Sequence, residues 1–128
     1  MRTLVRETVF KFIFSKLFNQ DDEGLFDVLI KDFSASDKSF ANELISAVNS
    51  NYDGYVQKLS DMAVGYKFER LYNVDKCLII LGMAELDNFP DTPSAVIINE
   101  IVNISAKYST ENGMNFINGI LAQYAKDR

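Results

Sequence analysis

The longest apolar run in the chain is Val74 to Leu86, VDKCLIILGMAEL, where eight of thirteen positions are Val, Cys, Leu, Ile or Met and Ala84 adds a ninth. Thirteen residues is long for a strand, and the charged start at Asp75–Lys76 with Glu85 near the end suits a helix. A helix that is apolar on nearly every side must be covered on nearly every side. The run therefore predicts a central helix around which the other elements gather. Gly82 in its middle costs about 1 kcal/mol against alanine, which predicts a neighbouring helix at close approach. A membrane span needs about 20 apolar residues, so this run is too short and too charged to be one.

Around this hub the spacing of apolar residues predicts further helices. Residues 3–19 carry Val9, Phe10, Ile13, Phe14 and Leu17 at helical spacing. Arg2 and Arg6 fall close to the same stripe and stay charged only if the helix start overhangs the core and meets water or an anion. The acidic stretch 19–24 reads as a solvated turn. Leu25–Phe33 reads as a short helix, followed by a Ser-Ala-Ser-Asp turn and a helix over 37–50 marked by Phe40, Leu44, Ile45 and Val48. Residues 51–54 read as a turn, and Tyr55, Leu59, Met62, Ala63 and Tyr66 mark the next helix. After the hub, Thr92 as N-cap with Pro93 in the first helical position predicts a start near 93. That helix, to about 108, is expected to bury Val96, Ile97, Ile101 and Ile104. Ser109 or Thr110 caps a last helix over 111–126, with Ile117, Ile120, Leu121 and Tyr124 inward and Gly113 and Gly119 allowing close packing. Phe116 sits at the margin of that stripe and Asn118 well off it. The chain thus reads as all-α, about seven helices in one compact unit over 1–128, with no repeat and no flexible linker.

Composition narrows the function. With 48% apolar and 24% charged residues the chain is an ordinary globular protein, and no signal-peptide pattern opens it. A single cysteine, Cys77, lies in the hub, so disulfides are not expected and a reducing cytoplasm is the simplest setting. Histidine is absent, which removes zinc sites built on Cys and His and nucleophile–histidine pairs. There is no glycine-rich phosphate loop. No enzyme, no metal and no cofactor is expected. The net charge of −5 is unevenly distributed: residues 1–20 carry +3 and the other 108 carry −8. A positive end on an acidic body can form a local anion site.

Three spaced blocks carry a resemblance. Tyr66, Glu69-Arg70-Leu71, Val74-Asp75-Lys76 and Glu85-Leu86 form the first; Pro93, Val96 and Ile98-Asn99-Glu100 the second; Phe116-Ile-Asn118-Gly119-Ile-Leu121 the third, with Arg6-Glu7 at the head of the first helix. In this order they resemble the NusB family of bacterial transcription antitermination factors, over essentially the whole chain. The resemblance implies two packed three-helix bundles and a non-enzymatic RNA-binding factor. It implies binding of boxA-like single-stranded RNA of ribosomal leader transcripts, jointly with the small-subunit ribosomal protein that acts as NusE, within the RNA polymerase antitermination complex. A homodimer of the free protein is also considered.

On that resemblance Arg2, Arg6 and Lys11 are expected to meet phosphates, Phe14 and Phe116 to offer ring faces, and Asn118 to hydrogen-bond a base or the backbone. Tyr66, Glu69 and Asp75 are expected to face the protein partner. The chain departs from the family's pattern in its thinned N-terminal arginine cluster, in Ile80 where an arginine is frequent, and in Tyr66 where tryptophan is usual. Weak, salt-dependent RNA binding is the expected consequence. Two other readings stay open: a protein-only helical adaptor of the same fold, and the RNA-recognition domain of a ribosomal RNA methyltransferase. The want of a cofactor-binding α/β domain before Arg128 counts against the latter.

Overall fold

The computed structural model describes residues 2–17, 24–65 and 67–128. Among them are seven α-helices: α1 (Arg2–Lys16), α2 (Leu25–Leu29), α3 (Ala35–Ser50), α4 (Tyr52–Met62), α5 (Asn73–Asn88), α6 (Ser94–Tyr108) and α7 (Glu111–Tyr124). Short 3₁₀ turns occupy Phe68–Arg70 and Ala125–Asp127. The expected hub is α5, and every residue from Cys77 to Leu86 is buried. It packs against α1, α3, α4, α6 and α7. α5, α6 and α7 pack on one another as one three-helix group, while α1 and α3 pack on each other and on α5, and α1 also reaches α6.

The glycine in the hub has the expected cause. A Cβ built on Gly82 would lie 2.7 Å from Cδ1 of Leu121, so α7 reaches α5 only because the side chain is missing. Gly113 works similarly: its Cβ would collide with the Ser109 hydroxyl and come within 2.9 Å of Asp75. Gly119 differs from expectation, since nothing lies within 4 Å of its Cβ position. It is an exposed glycine inside a helix, where alanine is favoured by about 0.5–1 kcal/mol. Gly119→Ala is accordingly expected to raise stability by that amount in denaturant melts. A loss of stability instead would contradict open space at this position.

Several boundaries move by identifiable amounts. Pro93 has ψ of 141°, so it is the N-cap rather than the first helical residue, and α6 starts at Ser94 without a side-chain cap. Residues 51–54 do not form a separate turn: Asn51 is the N-cap of α4, and Gly54 lies in its first turns. Ser34 caps α3 by accepting from the Asp37 amide at 3.1 Å, which starts that helix two residues earlier than expected. Thr110 caps α7 as expected, accepting from the Gly113 amide at 2.9 Å. The predicted helix over 25–33 shortens to α2, and the Phe33 amide then donates to the Ile30 carbonyl in a tight turn. In α6 the buried face is Ile97, Ile98, Ile101 and Ile104, with Val96 45% exposed. In α1, Leu17 is exposed and Val5 and Phe12 are buried instead.

The chain end is fastened to the end of the hub. The Arg128 guanidinium donates to the Leu86 carbonyl at 2.9 Å, to the Thr92 carbonyl at 2.6 Å and to the Phe89 carbonyl. These carbonyls belong to the C-terminal end of α5 and the loop after it, where the helix dipole favours a cation. No helix among the described residues is long and apolar enough to cross a membrane.

Candidate nucleic-acid interface

Arg6 and Glu7, adjacent in sequence, point to different helices. The Arg6 guanidinium grips the Glu85 carboxylate of α5 in bidentate fashion, with Nε at 2.8 and 3.0 Å from the two oxygens and Nη2 at 2.5 Å. Arg6 is 4% exposed and Glu85 0%. Its Nη1 lies 3.8 Å from Glu100 of α6, which also accepts from the Thr3 hydroxyl. Sequence required Arg6 to meet water or an anion, and the anion is Glu85. Arg6 is therefore not placed where an external phosphate could reach it, a correction to its expected role. Glu7 accepts from Lys107 Nζ at 3.1 Å and from the Tyr108 hydroxyl at 2.5 Å, both at the end of α6. Lys11 stands 3.7 Å away. The Tyr108 hydroxyl draws the Glu7 carboxyl below the usual range against the effect of burial, with Lys107 and Lys11 adding to it.

Beyond Glu7, the surface of α1 carries Lys11 and Phe14. Lys11 is exposed, sits 5.8 Å from the centre of the Tyr108 ring, and is held above its ordinary pKa first by the Tyr108 hydroxyl and further by Glu7. Phe14 is partly buried and stacks at an angle on Phe10, which in turn packs 5.2 Å from Tyr108. Phe14, Tyr72, Val74 and Tyr108 line an apolar groove of about 300 Å³ between α1, the start of α5 and the end of α6. Tyr72, 65% exposed, also lines a second pocket of about 190 Å³ with Arg70, Asp75, Asn112, Gly113 and Phe116. Lys11, Phe14 and Phe116 thus lie along one surface, joined by Tyr72 and Tyr108.

The other expected RNA contacts lie elsewhere. Arg2, nine residues before Lys11, is about 13 Å away along the helix, and its guanidinium rests 3.9 Å above the Phe40 ring of α3. Asn118 is exposed but lies about 200° around α7 from Phe116. Of the expected partner-facing residues, Glu69 is exposed in the 68–70 turn and Tyr66 lies outside the described residues. Asp75 is 5% exposed, so it is not a rim charge, and a lysine in its place would be buried without a carboxylate partner. Its Oδ1 accepts from the Ser109 hydroxyl at 2.5 Å, and burial raises its pKa against that bond. The sequence reading missed Tyr72 and Tyr108; a tyrosine at a helix boundary, off every apolar stripe, was the available signal.

Among the described residues no group of His, Cys, Asp and Glu is arranged to hold a metal ion. Cys77 is buried, and desolvation pushes its thiol up to about 12, so it is held as a core hydrophobe. What this surface offers is aromatic faces flanked by a few cations.

Comparison with known proteins agrees in fold and in sequence. The transcription antitermination protein NusB of Methylacidiphilum infernorum is 34% identical over 131 residues, covering 98% of this chain and 91% of that protein. The protein of the same name from Natranaerobius thermophilus is 34% identical over 133 residues, covering 97% and 94%. The structure of Thermotoga maritima NusB superposes with a TM-score of 0.92 at 29% identity, over 100% of this chain and 92% of that one. The sequence model of the NusB family matches residues 3–126, and the chain belongs to that family.

Proposed function

We propose that the chain is an RNA-binding transcription antitermination factor that takes boxA-like ribosomal leader RNA together with the ribosomal protein acting as NusE, in the RNA polymerase antitermination complex. The observation that carries this reading is the aromatic surface of Phe14, Tyr72, Tyr108 and Phe116 edged by Lys11, Lys107 and Arg70. Sequence-selective RNA recognition uses single-stranded bases stacked on aromatic rings, worth about 1–3 kcal/mol per base. Arg2 at the start of α1 and Lys11 nine residues on would meet phosphates, and Asn118 would contact the strand from the far side of α7. Exposed Glu69 would lie toward the protein partner, with Tyr66 three residues before it and Asp75, buried at the start of α5, six after it.

With Arg6 turned inward, two of the three α1 cations expected to meet phosphates remain, Arg2 and Lys11. A single strand then gives a salt slope of about −1.4 in log K against log salt. Titration of a boxA-like RNA over a salt series tests this, with and without the ribosomal protein. A weak complex of that slope is expected for the chain alone, and a tighter, steeper one with a basic partner. A tight, salt-insensitive complex of the chain alone would refute the scheme. No binding even with the partner would favour the protein-only adaptor, which the same scarcity of free cations supports.

A further inference from the structure

A carboxylate beneath a surface that is to meet RNA has the wrong sign, since it repels phosphates. Glu7 is such a group. It is buried in the second turn of α1, and its carboxylate gathers three donors. The Tyr108 hydroxyl donates to Oε2 at 2.5 Å, Lys107 Nζ donates to Oε1 at 3.1 Å, and Lys11 Nζ lies 3.7 Å from Oε2. The joining of α1 to its neighbours does not depend on it alone: Arg6 already binds Glu85 of α5, and Thr3 donates to Glu100 of α6. What Glu7 adds is the placement of Tyr108. The Tyr108 ring packs 5.2 Å from Phe10 while its hydroxyl is fixed by Glu7, so the side chain is held at its body and at its tip. Held in this way it lines the apolar groove with Phe14, Tyr72 and Val74. An exposed tyrosine at a helix end, without such a tether, samples several rotamers.

We infer that Glu7 is the positioning residue of the RNA surface: through the Tyr108 hydroxyl it fixes the Tyr108 ring for base stacking, and it keeps Lys107 and Lys11 at the margin of that ring. The inference rests on the RNA-binding reading above. Glu7 itself touches no base. A ring ordered beforehand binds more tightly, because its rotamer freedom is lost before the RNA arrives. A carboxylate suits this task, since it only accepts and has about four lone-pair positions, enough for a hydroxyl and two ammonium groups. The Tyr108 hydroxyl, against burial and with the two lysines adding to it, draws the Glu7 carboxyl low, so Glu7 is ionised and accepting at neutral pH.

The test is binding of a boxA-like single-stranded RNA by fluorescence anisotropy, with the ribosomal protein present, at low and at high salt. High salt screens phosphate contacts and leaves stacking, and thermal melts give the folded fraction of each variant. Tyr108→Phe keeps the ring and removes only the tether. At high salt it should bind about fivefold more weakly than wild type, a part of what one stacked base contributes, with an unchanged salt slope. Glu7→Ala should show the same high-salt loss, and the double variant no further loss, because both substitutions break one contact. Glu7→Gln keeps an acceptor for the hydroxyl and should recover most of the high-salt affinity, while its freed lysines steepen the salt slope. A role in stability alone would lower the melting temperatures and leave the affinity of the folded chain unchanged, which would overturn the inference. Equal high-salt binding by Tyr108→Phe and wild type would overturn it too, and that comparison stands even if Glu7→Ala folds poorly. So would a Glu7→Gln variant as weak as Glu7→Ala. A wild-type chain that binds no RNA at any salt would overturn the RNA-binding reading and the inference with it.

Discussion

Arg6→Ala is expected to lower the stability of the chain by about 3–5 kcal/mol, because it leaves the fully buried Glu85 carboxylate without its cation. The bidentate geometry joins α1 to the hub. Glu85→Ala should cost a similar amount by stranding the guanidinium. Removing both charges together, as Arg6→Met with Glu85→Leu, should recover most of the loss, since a packed apolar pair can replace a buried ion pair. Equilibrium denaturation of the three variants reads this directly. If Arg6→Ala melts like the wild type, the ion pair is not a support of the fold and the residue is available for other roles. The consequence for function is specific: an Arg6 variant with reduced RNA affinity is to be judged by its folded fraction first.

Gly82→Leu should be nearly as damaging, at about 3 kcal/mol. Overpacking a filled core costs about 1–3 kcal/mol and occasionally more, and here even the first added carbon falls 2.7 Å from Leu121. Leu121, whose methyl groups would have to give way, is itself fully buried. Leu121→Ala alone should cost about 2–5 kcal/mol through its cavity. In the double variant the two losses should sum to less than their separate values, since the new leucine occupies the vacated volume. Strict additivity in thermal or chemical melts would mean that the two helices do not meet at this point.

Gly82 and Gly119 show where sequence suffices and where it stops. Both are glycines inside apolar helices, and both invite the expectation of close packing. Only Gly82 has a helix against it, because which side of α7 turns toward α5 is decided by Leu121 and Ile117, not by the glycine. The hub itself was legible because a run apolar on every side has one physical solution. The N-caps Ser34 and Thr110 follow from local chemistry, although the Ser-Ala-Ser-Asp stretch also reads as a plain turn. Arg6 was half legible: its place on an apolar stripe demanded an anion, but the partner lies 79 residues away. The site was the least legible part. Phe14 and Phe116 fall on its surface, yet Tyr72 and Tyr108 join them through chain connections that no periodicity marks. Asp75 looked like a surface charge at a helix start and is instead buried beneath α7.

The clasp at the head of α1 also bears on how the chain leaves the ribosome. Arg6 finds Glu85 79 residues later, and Glu7 finds Tyr108 101 residues later. At a synthesis rate of about 5–20 residues per second, the second of these partners follows the first helix by about 5–20 s. Until α5 is made, Val9, Phe10 and Ile13 lack its cover and Arg6 lacks Glu85, while Glu7 has only Lys11, one turn on, as a counterion. α1 is therefore secured only after the helices that follow it, and until then its aromatic face is a surface that a chaperone could shelter.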